Sequence, residues 1–122
     1  MFSTLISVAL GGAVGACLRF AVGLLVAFPM GTMAVNVAGS FAIGVVWLAL
    51  DKAWLPFVMT GVLGGFTTFS AFSLDTLRLM EEGRILYAGA YVGASVLLSL
   101  LACGVGLTLA RSCHERRPTI DH

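Results

Sequence analysis

Charged and titratable side chains are scarce in this sequence. Only 11% of its 122 residues are charged, against about a quarter in an average soluble domain. Both histidines, His114 and His122, lie near the carboxyl terminus, and we expect no acidic side chain deep within an apolar run. There is no HExxH motif, phosphate-binding glycine loop or converging Ser/His/Asp set. We therefore predict that the protein is not an enzyme. A net charge of +1 without a basic patch also gives no indication of nucleic-acid binding.

Cysteine is equally uninformative as a source of cross-links or metal ligands. The number of cysteines is odd, since the chain has three, and no two of them form a CxxC pair: Cys17, Cys103 and Cys113. This pattern predicts neither a disulfide framework nor a metal site with cysteine ligands. We expect the thiols to behave as small apolar groups.

Apolar sequence is what the chain has in abundance. Hydrophobic residues make up 59% of it, and the mean hydropathy is +1.02. A transmembrane helix needs about 20 mostly apolar residues, so we predict an all-α membrane protein of four spans, with a transmembrane domain over 1–111 and a polar tail over 112–122. The predicted spans are about 2–28, 31–50, 53–80 and 85–110. We expect a multi-pass protein of the plasma (inner) membrane.

The third predicted span contains an unusual polar stretch, GGFTTFSAFS at 64–73. Each of the paired glycines weakens a helix by about 1 kcal/mol relative to alanine, and threonine side chains compete for backbone hydrogen bonds. We predict a helix interrupted at Gly64–Thr67 that restarts near Thr68. A break at membrane depth is tolerated only where it is buried in protein or lines a polar cavity. The alternative is a glycine hinge packed against a neighbouring helix.

Polar residues recur at helical spacing in the second and fourth spans. Each set has a spacing of four residues, which places its members on one face of a helix. The sets are Thr32, Asn36 and Ser40 in the second span, and Tyr91, Ser95 and Ser99 in the fourth. A mid-span asparagine needs a hydrogen-bond partner. Asn36 is therefore either an interhelical clasp or a donor to a permeating anion.

The first span carries one charge and a small-residue step. Gly11 and Gly15 form a GxxxG pattern, which permits close backbone approach between helices. Arg19 either extends to the interface or faces the interior and pairs with carbonyls or an anion; we assign all three residues a structural or interface role. In the third span, the spacing predicts an ion pair between Asp75 and Arg78.

The apolar spans offer hydroxyls, an asparagine and phenylalanine rings but no predicted buried acid. A proton-coupled pump is therefore difficult to build from them. Ring edges are electropositive, so they can face an anion together with amide and hydroxyl donors. Backbone carbonyls freed at a helix break would face a cation instead.

Three motifs resemble the Fluc (CrcB) family of small fluoride channels. They are GGAVGACLRF at 11–20, GTMAVNVAGSF at 31–41 and GGFTTFSAFS at 64–73. The resemblance implies a dual-topology homodimer, in which the identical subunit is inverted in the lipid bilayer. It also implies two antiparallel fluoride pores, passive fluoride export with resistance to fluoride toxicity, and a central structural sodium ion.

The resemblance also implies roles for individual residues. The backbone carbonyls of Gly64 and Thr67 are expected to hold the sodium ion. The residues expected along the fluoride pore are Thr32, Asn36, Phe69, Ser70, Phe72, Ser73, Tyr91, Ser95 and Ser99.

Two other functions remain compatible with four short spans. A small multidrug transporter has a similar size, but it needs a membrane-buried glutamate in its first helix, where this chain has Arg19. A non-transporting membrane assembly protein would use the glycines and polar residues only to join helices. Selective release of fluoride from vesicles separates these alternatives.

Overall fold

Four apolar spans account for most of the chain. The computed structural model describes residues 1–117, and within them the helices are α1 (Phe2–Leu25), α2 (Met30–Ala49), α3 (π-helical Pro56–Leu63 followed by Gly64–Phe66), α4 (Phe69–Glu81) and α5 (Ile85–Glu115). The two pieces α3 and α4 form the third span, Pro56–Glu81, and all four spans in this part of the chain are long and apolar enough to cross a membrane. The predicted all-helical architecture with an interrupted third span is confirmed.

Three helix boundaries differ from the predicted ones by three residues or more, and one of them is the start of the third span, at Pro56 rather than residue 53. The first helix ends at Leu25 rather than residue 28, because Val26 already has an extended backbone. The last helix continues to Glu115 rather than residue 110. Its 31 residues span about 46 Å at about 1.5 Å per residue, which exceeds a hydrocarbon core of about 30 Å. The predicted tail, 112–122, is described only as far as Arg117, and its remainder lies outside the described residues.

The first helix packs closely against α3 through its two small residues. Gly11 and Gly15 are both buried. A Cβ at Gly11 would collide with the carbonyl oxygen of Phe57, and one at Gly15 would collide with that of Val62. The GxxxG step therefore joins two spans of the same chain at backbone-to-backbone distance.

A second close crossing joins α2 to α5. A Cβ at Gly44 would collide with the carbonyl oxygen of Cys103, and one at Gly106 would collide with that of Phe41. Because α1 is attached to α3 and α5 to α2, the fold consists of two closely packed helix pairs. The interrupted third span connects the two pairs, because α3 belongs to the first pair and α4 packs on α5 of the second.

The interruption lies later in the chain than predicted. Gly64 and Gly65 are helical, and the extended residues are Thr67 (φ −85°, ψ 155°) and Thr68 (φ −152°, ψ 119°). The predicted break at Gly64–Thr67 includes the extended Thr67, but it was wrong for the two glycines. Gly65 has a packing role instead: a Cβ there would lie 2.5 Å from the carbonyl oxygen of Gly12 in α1. The helix restarts at Phe69, with Thr68 as its N-cap.

Candidate ion pathway

The side chain of Asn36 holds the break in the third span. Its Nδ2 donates to the Thr68 carbonyl oxygen at 3.0 Å, and its Oδ1 accepts from the Thr68 amide at 2.7 Å. This paired contact satisfies both backbone groups of an extended residue at the point where the helical ladder stops. One N–H of the Asn36 amide remains for another acceptor, since the group has two donors.

The same contact releases a backbone carbonyl. In an unbroken helix the Thr68 amide would donate to the Gly64 carbonyl, but here it is bound to Asn36. The Ala71 amide, which would donate to the Thr67 carbonyl, is bound to Thr68 Oγ1 at 3.1 Å. The carbonyls of Gly64 and Thr67 therefore lose their helical donors. Carbonyl oxygen is a ligand type suited to hard cations, so the predicted sodium ligands are chemically appropriate.

A groove of about 410 Å³ runs beside the break. Its polar and aromatic lining residues on helices α2, α4 and α5 are Asn36, Ser40, Phe69, Phe72, Ser95 and Ser99. Gly64, Thr67 and Thr68 also form part of its wall. The structure thus brings together residues from α2, α4 and α5 that lie up to 63 positions apart in the sequence.

Two phenylalanines and a tyrosine form a continuous aromatic contact at this groove. The Phe69 and Phe72 ring centroids lie 5.6 Å apart with the planes tilted by 41°. Phe72 stacks on Tyr91, with centroids 5.5 Å apart. Phe69 is 79% exposed, whereas Phe72 is half-buried. The edges of such rings carry the positive part of the aromatic quadrupole.

Two hydroxyls near the aromatic residues are buried without a hydrogen-bond partner among the described residues. They belong to Tyr91 and Ser95, which are 2% and 4% exposed. An unpaired buried hydroxyl is costly, and Ser95 also lines the groove. Of the two, only the Ser95 hydroxyl belongs to a residue of the groove lining.

Asp75 of the third span is buried within the protein, whereas no buried acid was expected from the sequence. It is only 8% exposed, and its Oδ2 accepts from Thr32 Oγ1 at 2.6 Å. The Tyr91 hydroxyl lies near both groups without a hydrogen bond of standard geometry to either. The predicted pair with Arg78 does not form, since that guanidinium lies 4.2 Å from the centroid of the Phe28 ring.

Comparison with known proteins supplies the family. A family model described as "CrcB-like protein, Camphor Resistance (CrcB)" matches residues 6–107. The chain belongs to the CrcB family. This result agrees with the resemblance inferred from the three motifs.

Curated relatives of this CrcB chain carry the name "Fluoride-specific ion channel FluC". One from Cereibacter sphaeroides is 52% identical, over 91% of this chain and 97% of its own length. Another from Roseobacter denitrificans is 50% identical over 91% and 98%, and one from Pseudomonas fluorescens is 42% identical over 91% and 99%. These names describe a non-enzymatic function, in agreement with the prediction that the chain is not an enzyme.

Several residues expected along the pore lie outside the groove of this CrcB protein. Thr32 and Tyr91 lie beside it, at Asp75 and Phe72 respectively. Ser73 donates to the Phe69 carbonyl at 3.0 Å within α4. Ser70 is exposed, with its Oγ 3.2 Å from that of Thr68. The other five pore candidates line the groove: Asn36, Phe69, Phe72, Ser95 and Ser99.

Arg19 faces the protein interior rather than extending away from it. It is half-buried, and its Nε donates to the Gly65 carbonyl at 3.2 Å. In a continuous helix that carbonyl would accept from Phe69, the first residue after the break. Arg19 therefore satisfies a carbonyl that the interruption exposes. Sequence reasoning on this CrcB chain paired Asp75 with Arg78 and missed its partner Thr32, which lies 43 positions away.

Proposed function

We propose that this protein is a fluoride-selective ion channel. The observation that carries the proposal is the groove at the break, whose lining includes Phe69, Phe72, Asn36 and Ser95. The Ser95 hydroxyl has no hydrogen-bond partner among the described residues. All of these groups can face an anion, and the lining contains no lysine or arginine that would hold the anion too tightly. The names of the CrcB relatives support the choice of fluoride.

Selectivity follows from replacing the hydration shell of a small anion. A row of hydroxyl, amide and ring-edge donors can surround fluoride closely, as ion filters do for their ions. Chloride is larger and a weaker hydrogen-bond acceptor, so it gains less from the same donors. Ser95 and Ser99 would take over from the phenylalanine edges along the groove.

We propose that the channel is an antiparallel homodimer with two pores. The groove side of one chain leaves Phe69 79% exposed, which an identical inverted subunit would cover. On α5, Gly89 and Gly93 have open space where a Cβ would lie, and this second GxxxG step is available for close helix contact. The small difference in arginine and lysine between the two ends favours insertion in both orientations.

A sodium ion at the centre of this dimer is part of the proposal. The residues that would hold it are Gly64 and Thr67, whose carbonyls have lost their helical donors. Gly64 lies on an exposed surface, so the same two carbonyls from a second subunit can complete the site. The ion supplies positive charge that compensates carbonyl dipoles at mid-membrane.

The biological role that fits is passive fluoride export across the inner membrane. Hydrogen fluoride crosses bilayers as a neutral molecule and ionises inside the cell. The membrane potential then drives the anion outward with about 2.3 kcal/mol per charge per 100 mV. A pore without a coupling reaction is sufficient for resistance to fluoride toxicity.

The two alternative functions fit the chain less well. A multidrug transporter of similar size would need a glutamate in α1, which is absent. An assembly protein would carry no ion.

Vesicle efflux tests this function. Vesicles that contain the purified protein are loaded with potassium fluoride or potassium chloride, and valinomycin is added to start anion efflux. The concentration of each released anion is followed with its ion-selective electrode. We expect fluoride release within seconds and chloride release no faster than from protein-free vesicles. Equal release of both anions would reject fluoride selectivity, and release of neither would favour the assembly protein.

A further inference from the structure

A second cavity lies apart from the ion pathway, between α2 and the carboxyl-terminal turns of α5. Its volume is about 400 Å³, and none of its lining residues lines the groove described above. The wall is apolar, with Phe41, Val45, Leu48 and Leu109 as its larger members, and His114 and Arg117 lie at one end. On α2, this cavity and the groove contact different faces of the helix.

The position of this cavity corresponds to the membrane–water boundary. Trp47 and Trp54 lie near the same end of the molecule and are 56% and 59% exposed, as is typical of residues at the headgroup level. The carboxyl-terminal turns of α5 extend beyond the end of α2 at Ala49. The cavity therefore runs from the depth of the acyl chains to the level of the headgroups.

The polar end of the cavity is basic. Residues 111–117 contain Arg111, Arg116 and Arg117 against one acid, Glu115. No ion pair neutralises these arginines within the part of the chain that the structure describes. The one ion pair found there joins Arg84 to Glu82 at the opposite end of the molecule. A smaller cavity of about 160 Å³, lined by Leu48, Arg111, His114 and Glu115, adjoins the first and shares Leu48 and His114 with it. Arginine side chains thus flank the polar end of an apolar cavity.

We propose that this cavity binds an anionic phospholipid. Its phosphate lies between Arg111 and Arg117, and one acyl chain lies along Phe41, Val45 and Leu109. Arginine suits phosphate oxygens because its N–H groups form a planar fork. A free phosphate ion would leave the apolar wall unused, and a zwitterionic lipid would bring no net charge to the arginines. The combination of wall and charge therefore selects an anionic lipid.

The thiol of Cys113 provides a direct reporter, because it is exposed and lines the cavity. In a Cys17→Ser, Cys103→Ser background, the rate of Cys113 modification by a water-soluble maleimide is measured in micelles of a neutral detergent. Phosphatidylglycerol, phosphatidylcholine or inorganic phosphate is added at matched concentrations. We expect phosphatidylglycerol alone to slow the reaction. Each arginine should contribute about fivefold to lipid affinity, as basic residues do at anionic membrane surfaces.

Charge variants separate lipid binding from general effects of the micelle. Arg111→Gln with Arg117→Gln should abolish the protection by phosphatidylglycerol, whereas Arg111→Lys with Arg117→Lys should keep part of it. Arg84→Gln, at the opposite end of the molecule, is the matched control and should leave protection unchanged. Equal protection by phosphatidylcholine, protection by inorganic phosphate, no protection, or full protection in the double glutamine variant would each overturn the proposal.

Discussion

At the scale of single residues, the ion pathway depends on groups that have two possible partners. The Asn36 amide holds Thr68 with one N–H and its oxygen, which leaves a second N–H for an anion. The two readings drawn from the sequence, clasp or anion donor, are therefore compatible in one side chain. Replacing Asn36 would change the break as well as the pathway, so it cannot separate the two roles.

Phe69 and Phe72 offer a cleaner test of the pathway. Phe69→Ile or Phe72→Ile removes an electropositive ring edge but keeps an apolar side chain. A loss of about 1.4 kcal/mol in stabilisation of the passing ion lowers its rate about tenfold, and we expect at least this decrease in fluoride efflux. Phe20→Ile is the matched control, because Phe20 is 69% exposed on α1 and does not line the groove. Unchanged efflux in both pathway variants, with the protein folded, would reject the assignment.

The buried pair of Thr32 and Asp75 makes a prediction about stability. Thr32→Val removes the donor to a carboxylate that is 8% exposed, and the loss should cost about 1–3 kcal/mol. Thermal unfolding in detergent measures the change. Thr108→Val is the control, since Thr108 donates to the Gly104 carbonyl of its own helix.

A double-mutant cycle identifies the source of that cost. In an Asp75→Asn background the hydrogen bond no longer involves a charge, and Thr32→Val should cost less than in the original protein. Additive effects of the two substitutions would show that the pair is not coupled and that Asp75 is stabilised by other groups.

At the scale of helices, small residues fix how α1 meets α3. Gly15→Ala would place a methyl group against the backbone of Val62 and 2.8 Å from the Phe66 amide nitrogen, and such overpacking costs about 1–3 kcal/mol. Gly23→Ala on the same helix meets nothing within 4 Å and should stabilise the helix by up to about 1 kcal/mol. Stability in detergent compares the two. A Gly15→Ala protein as stable as Gly23→Ala would contradict the close packing.

The number and kind of helices follow from the sequence, because long apolar runs have few alternatives in a bilayer. The position of the break does not follow from local propensity. Gly64 and Gly65 weaken a helix on average, but their packing keeps them helical, and Asn36 instead opens the chain at Thr68 from 32 positions away. The π-helical winding of Pro56–Leu63 had no recognised signal in the sequence. The spacing of Asp75 and Arg78 also predicted an ion pair that does not form. Asp75 instead accepts a hydrogen bond from Thr32 of α2.

At the scale of the whole molecule, the proposal needs two chains in opposite orientations. In this proposal the carbonyls of Gly64 and Thr67 from one chain would supply half of the sodium ligands, and the inverted copy would supply the other half. Sodium removal should therefore affect the dimer as a unit. We expect fluoride efflux to be lost after exhaustive replacement of sodium by N-methylglucamine on both sides of the membrane, and to return when sodium is restored.

The outcome of sodium removal shows whether the channel needs the ion. Loss and recovery at constant dimer content indicate a structural ion that shapes the pores. Full activity without sodium would show that the two carbonyls have other partners in the dimer, while the proposal of fluoride conduction would remain to be judged by its own test.

The reversal potential of the current through a planar bilayer tests the central claim most directly, namely that the interrupted third span forms a fluoride pathway. With fluoride and chloride gradients imposed in opposite directions, the predicted reversal potential follows the fluoride gradient, at about 59 mV for each tenfold ratio at 25 °C. A reversal potential that follows the chloride gradient, or a membrane without protein-dependent current, would contradict the account.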